Sequence, residues 1–300
     1  MRFAPLLLAA LLALPVAAHA QGAAAPPPAG PRQFLWEVSS FTNKVYLYGT
    51  VHAGKAGFYP LPEAVQKAFA DAQVLAVEAD ITDAEAMAKG GSSMIYAPPD
   101  KLSMHVPPPL YERLRALLRR LGIQERQVEP LRPFIAASLL TFTEWGRQGY
   151  QPNFGVDLHL ITRAREAKMR LVELEGAQAQ AQLIASLSDK EGVQALEGAV
   201  LALETGLARD HITGVVNAWQ AGDPGLLLEV TRAYNDAVPG SRELEEKFIW
   251  SRHEALAGKI EAFLLSGRER VFVAVGALHL AGPRGLVEIL KSRGHTVRQL

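Results

Sequence analysis

Two histidines occupy the same place in the same local pattern. Val45-Tyr46-Leu47-Tyr48-Gly49-Thr50-Val51-His52 and Val271-Phe272-Val273-Ala274-Val275-Gly276-Ala277-Leu278-His279 each run from an apolar strand through a glycine and two further residues to an imidazole. A neutral imidazole is a metal ligand or a proton carrier, and two brought to one place are suitable ligands for Zn, Mn, Co or Fe. One G-x-x-H carries no weight, because a strand-end histidine is readily satisfied by an ordinary hydrogen bond. Two copies after matching strands point to a site, because ligands of open parallel sheets bind beyond the carboxyl ends of the strands. The glycines are expected to let the chain turn tightly there.

Acidic residues stand at equivalent places. Glu78 closes the run Val74-Leu75-Ala76-Val77, and a carboxylate there is costly to bury unless it is paired or metal-bound. Asp80 follows two residues later, and Glu173 and Glu175 repeat that spacing after Leu171 and Val172. Alternation along a strand puts residues two apart on one side, so Glu78 and Asp80 are expected to share a region, with Glu173 or Glu175 facing it.

Residues 242–265 read as one long helix with an apolar stripe of Phe248, Leu256, Ile260 and Phe263. Arg252 lies inside that stripe and His253 at its edge. An arginine keeps its charge in a protein, so Arg252 needs either a carboxylate partner or a substrate anion. Asp157 and His159 read as the opening of a helix, with Asp157 a first-turn acid favoured by the dipole. His105, His211 and His295 are expected at the surface, without acidic partners. No G-x-S-x-G elbow is present, so a serine hydrolase has no anchor.

The elements that must carry these residues alternate. Phe34-Leu35-Trp36-Glu37-Val38 and the Val45 run flank a turn near Ser40 and Asn43 and predict a hairpin. The runs at 74–79, 170–174 and 271–276 are nearly continuously apolar, as strands covered on both faces are, and 296–300 offers a last short strand. Amphipathic helical stretches separate them, and residues 177–266 read as a helical insertion. The fold class predicted is α/β, with a mainly parallel sheet and flanking helices.

The remaining sequence sets boundaries. Arg2, the apolar run at 6–18 and Ala18-His19-Ala20 read as a signal peptide over 1–20, with cleavage before Gln21. That run is shorter than the roughly 20 residues a membrane span needs. Residues 21–33, rich in Ala, Pro and Gly, read as a disordered linker, leaving one domain over 34–300. The chain has no cysteine, which excludes disulfides and thiolate chemistry. Its 31 basic and 31 acidic residues leave no electrostatic footprint for nucleic acid, and no later stretch could span a membrane. The expected destination is the periplasm or the exterior.

The chain resembles the TraB/GumN family, whose relatives include the TIKI proteases. The resemblance rests on Leu35-Trp36-Glu37-Val38, the first G-x-x-H run, Tyr59-Pro60-Leu61-Pro62 and Val77-Glu78-Ala79-Asp80. It continues through Gly155-Val156-Asp157, Leu171-Val172-Glu173-Leu174-Glu175 and FVAVGALHLAGPRG at 272–285 to Gly294-His295-Thr296-Val297. It implies an α/β fold shared with erythromycin esterases and ChaN-like haem-binding proteins. It also implies divalent-metal-dependent proteolysis in which His52, Glu78 and His279 hold the ion, Mn or Co being preferred over Zn only on this ground. Family members usually carry Arg-Asn where this chain has Arg252-His253, and threonine is common where Gly176 stands.

The function expected is hydrolysis of a peptide or related acyl bond by metal-activated water. Arg252 would stabilise the developing oxyanion, Glu175 would move a proton, and His253 would add a ligand or alter the chemistry. The alternatives are a non-catalytic haem- or metal-binding envelope protein, with Tyr48 among the possible axial ligands, and a degenerate interaction protein.

Overall fold

The structure, a computed structural model, describes residues 32–85, 94–267 and 269–300. The expected signal peptide lies outside them, as does all but the end of the expected linker.

Strands β1 (Leu35–Ser39), β2 (Lys44–Thr50), β3 (Val74–Val77), β4 (Arg170–Glu173), β5 (Val271–Gly276) and β6 (Thr296–Gln299) form one sheet in the order β4-β3-β5-β2-β1-β6. β1 and β2 make the antiparallel hairpin, closed where the Ser40 N–H donates to the Asn43 carbonyl over 2.9 Å. β6 pairs antiparallel with β1, while β2, β5, β3 and β4 run parallel. The apolar runs explain the order. β3, β5 and β2 are buried along nearly their whole length and lie inside the sheet. β4 departs from the expectation of burial on both faces: it lies at the edge, with Arg170 and Glu173 exposed and only Leu171 and Val172 partly covered.

Helix α1 (Glu63–Asp71) carries the chain from β2 to β3. Between β3 and β4 come α2 (Pro108–Leu121), α3 (Glu125–Val128), α4 (Pro133–Arg147) and α5 (Val156–Glu166). The insertion between β4 and β5 is helical, as expected: α6 (Ala177–Ala185), α7 (Asp189–Thr205), α8 (Leu207–Gln220), α9 (Pro224–Ala237), α10 (Ser241–Phe248) and α11 (His253–Ser266). A last helix, α12 (Leu286–Ser292), precedes β6. One core surrounds the sheet. A second, built on Leu114, Phe134, Leu140, Leu196, Val200 and Phe248, belongs to the helices.

The single helix expected over 242–265 is broken. α10 stops at Phe248, Ile249 leaves helical geometry at φ −119° and ψ −72°, and a 3-10 turn spans Trp250–Arg252 before α11 begins. Side chains stabilise the break. Arg252 Nε donates to the Phe248 carbonyl over 2.7 Å, satisfying an acceptor that a helix end leaves open. Trp250 Nε1 donates to Glu245 Oε1 over 2.5 Å. Apolar periodicity runs through the break, so the pattern alone reads as continuous.

Candidate functional site

The carboxyl ends of the four parallel strands deliver His52 after β2, Glu78 after β3, Glu175 after β4 and His279 after β5. The parallel register sets β2 beside β5, with Thr50 opposite Gly276, so the two G-x-x-H segments emerge side by side. Their glycines serve space rather than turning. Gly49 still lies inside β2, where a Cβ would stand 2.4 Å from the Phe34 ring. A Cβ on Gly276 would stand 3.6 Å from Glu78 Oε1, 3.6 Å from the His279 ring and 3.7 Å from His52 Nε2. One small space is therefore shared by the three groups expected to converge.

Each imidazole is anchored through Nδ1. His52 Nδ1 meets Asp157 Oδ2 at 2.7 Å, and Thr50 Oγ1 donates to Asp157 Oδ1 over 2.5 Å. Asp157 reaches this position because the Val156 N–H binds the Val51 carbonyl at 2.9 Å, docking the start of α5 against the segment that carries His52. The first-turn position expected for Asp157 is correct, but its carboxylate serves the site. His159 does not join it and stacks on Tyr59, with ring centres 4.2 Å apart.

His279 is held by a chain of hydrogen bonds whose direction follows from its far end. His253 Nδ1 lies 2.6 Å from the Arg284 carbonyl, which can only accept, so that nitrogen carries the proton. Neutral His253 then has a lone pair at Nε2, 2.9 Å from His279 Nδ1, so His279 carries its proton on Nδ1. The lone pair left on His279 Nε2 accepts from Arg252 Nη2 over 2.9 Å. Burial keeps both rings neutral. His279 is held well below the ordinary histidine range, and His253 is lowered too, burial outweighing its bond to Arg284.

Arg252 joins the groups. Nη1 binds Glu175, and Nη2 lies 3.4 Å from Glu78 Oε2. Glu78 Oε1 accepts the Gly276 N–H over 2.8 Å. Burial opposes ionisation of Glu78, but the charges of Arg252 and His52, with the Gly276 N–H, outweigh it and hold the carboxyl below its ordinary range. Glu175 is shifted the other way: burial and the charge of Glu78 raise it despite Arg252. His52 is raised as well, since Asp157 and Glu78 outweigh its burial. Two carboxylates on one guanidinium thus differ in proton affinity, a division suited to one fixed anion and one proton carrier. Glu175 and Arg252 also line a second opening with Gln180 and Leu183.

Other expectations need correction. Asp80 does not share Glu78's region, because β3 ends at Val77 and strand alternation lapses; Asp80 pairs with Arg165 at 2.6 Å. Glu173 accepts the Asp80 N–H over 2.7 Å, which leaves Glu175 as the member facing the cluster. Gly176 stands at φ 94°, a positive-φ conformation that favours glycine over a residue with a branched side chain. Tyr48 packs against Phe272 in the sheet core rather than lining the cleft at His52. His211 is buried, not superficial, and His105 and His295 have acidic partners in Asp100 at 2.7 Å and Glu261 at 2.8 Å.

Sequence reasoning missed Asp157 as a partner of His52. The signal was available in the Gly155-Val156-Asp157 segment, but spacing could not say which carboxylate an imidazole 105 residues away would meet. Among the described residues, no group of three or more His, Asp or Glu side chains is spaced to hold a metal ion. No described helix is long and apolar enough to cross a membrane.

Comparison with known proteins agrees with the sequence resemblance. YbaP of Escherichia coli (strain K12), described as an uncharacterized protein, is 24% identical over 248 residues, covering 82% of this chain and 87% of YbaP. YbaP of Shigella flexneri, described in the same words, matches with the same identity and coverage. No solved structure matches. The model of the TraB/PrgY/gumN family matches residues 34–299, nearly all of the chain beyond its first segment, and the chain belongs to that family.

Proposed function

We propose that the chain is a hydrolase of peptide or related acyl bonds, with its centre at the shared space between His52, Glu78 and His279. The observation that carries this reading is the anchoring of both imidazoles through Nδ1, to Asp157 and to His253. Ligand histidines are oriented in this way by a partner on the other nitrogen.

The donor set fits a divalent cation in kind. Two imidazole nitrogens and a carboxylate suit Mn, Co and Zn alike, and His52, Glu78 and His279 would hold it. As the side chains stand their spacing does not close on an ion, and Arg252 donates into the His279 lone pair. Such an ion supplies, when bound, a nucleophilic hydroxide near neutral pH. The chain's own residues do the rest. Arg252 stands ready to balance the oxyanion that forms at a scissile carbonyl, in a site with little water to screen it. Glu175, its proton affinity raised, passes a proton to the leaving group, and the Asp157 carboxylate fixes the His52 ring.

A second reading is favoured by Arg252 itself. Its guanidinium already supplies a positive charge beside Glu78 and His279, and His52 with Asp157 forms a base pair of the kind that activates water directly. One experiment separates the two. The purified chain is stripped of metal and assayed on peptide and ester libraries with single ions restored. Ion-dependent activity lost in both His52→Ala and His279→Ala supports the first reading. Chelation-resistant activity lost in His52→Ala supports the second. Activity intact in both variants ends them both. The expected export belongs to the same proposal, and fractionation of cells expressing the full chain tests it.

A further inference from the structure

The cleft that reaches His52 and His279 is roofed by the helical insertion together with α4. Its empty space is about 810 Å³, open mouth included. Trp145, Val215, Leu227, Phe248 and Leu278 give it largely apolar walls. No Lys or Arg lines it, and away from the end held by His52 and His279 nothing on its walls would neutralise an incoming carboxylate. Its one acid away from the reacting groups, Glu245, has both oxygens engaged, one by Trp250 and the other by Asn235. An anion would meet that charge, and a cation would have to shed its water among apolar walls where both Glu245 oxygens already hold donors.

Two of the side chains that line it each carry a buried polar atom with no partner. Trp145 is 3% exposed and its Nε1 donates to nothing; His211 is 2% exposed and its Nδ1 makes no hydrogen bond. A buried donor left unpaired costs free energy, so such atoms mark where a ligand or a water is accommodated. Trp145 Nε1–H can only donate, so its natural complement is an oxygen acceptor.

We propose that this cleft is the substrate's specificity subsite, taking an uncharged, chiefly apolar group that carries a neutral oxygen for Trp145 Nε1–H. The inference rests on the hydrolase reading for the word substrate, but its binding chemistry stands independently. A fatty-acyl chain and the apolar side of a peptide share that chemistry.

Calorimetric titration of the purified chain separates the possibilities. The probes are octanamide and N-acetylphenylalaninamide, which are neutral, and octanoate and octylammonium, which match the first in length but carry charge. At least one neutral probe should bind tenfold or more tightly than both charged ones, and which of the two does so tells an acyl chain from a peptide. Trp145→Phe keeps the shape but removes the donor, and should weaken the neutral probe about 2- to 10-fold. Val215→Trp fills the cleft and should abolish binding, with circular dichroism confirming the fold. Glu175→Gln lies outside the lining of the cleft and should leave binding intact while hydrolysis is lost, so a failure of hydrolysis cannot be mistaken for a failure of the subsite. Equal binding of charged and neutral probes, no binding of either neutral probe (the result if water alone satisfies Trp145 and His211), or indifference to both substitutions overturns the proposal.

Discussion

In His253→Leu, the Nδ1–H of His279 loses its acceptor while the volume at position 253 is roughly preserved. Both rings are nearly inaccessible, at 1% and 2% exposure, so water does not replace the lost bond. An orphaned buried donor costs ~1–3 kcal/mol. His279 can escape only by moving its proton to Nε2, and that nitrogen then presents an N–H to the N–H of Arg252, losing the 2.9 Å hydrogen bond between them. Either outcome carries a penalty of the same order. If it falls on the folded state, the midpoint of thermal unfolding drops by about 2–4 °C per kcal/mol. If it falls on the site, the affinity or rate depending on His279 falls about 5- to 150-fold, at 1.4 kcal/mol per decade. The direct assay is a long-range ¹H–¹⁵N correlation spectrum of the imidazoles, which distinguishes the two tautomers. The wild type should show His279 protonated on Nδ1, and His253→Leu should lose that signature. His253→Asn, whose amide has both an acceptor and a donor, should recover part of it. A wild-type His279 protonated on Nε2, or a signature unmoved in His253→Leu, would refute the hydrogen-bond order derived above.

Gly276→Ala tests the shared space: its Cβ makes ordinary contacts of 3.6–3.7 Å, so the fold should be retained within ~1 kcal/mol while hydrolysis or ion binding is lost, as denaturant unfolding and an activity assay would reveal. Glu78→Gln should change acid stability. The depressed pKa of Glu78 contributes stability present above its ordinary value of 4.5 and lost as pH falls through its lower folded value, so urea midpoints should fall less steeply below pH 4.5 in the variant. His211, lowered by burial, contributes stability present above 6.5 that is lost as pH falls towards its folded value. His211→Phe should therefore remove ~1.4 kcal/mol per pH unit from the slope below pH 6.5, and an unchanged slope would contradict a neutral, buried ring.

Much of this protein is settled by local sequence. The hairpin, the buried strands and the helical insertion follow from period, turn residues and apolar runs, because backbone hydrogen bonding and burial act over short spans. The two G-x-x-H segments and Glu78 were legible for the same reason: each sits at the end of its own strand, where any parallel sheet brings strand ends together. The partners were not. Asp157 could be read as a helix-start acid, and it is one, but its contact with His52 depends on α5 docking against β2. The burial of His211 had a local signal, since it falls in line with Ala208, Ile212, Val216 and Trp219 on one face of α8, yet which face is covered depends on other helices. The break before α11 is set by Arg252 and Trp250 finding partners, not by any interruption of the apolar stripe. Local chain energetics therefore determined which side chains reach the sheet's edge. Only the tertiary structure decided which nitrogen holds a proton and which carboxylate stays charged, because those depend on the burial and charge supplied by residues distant in the chain.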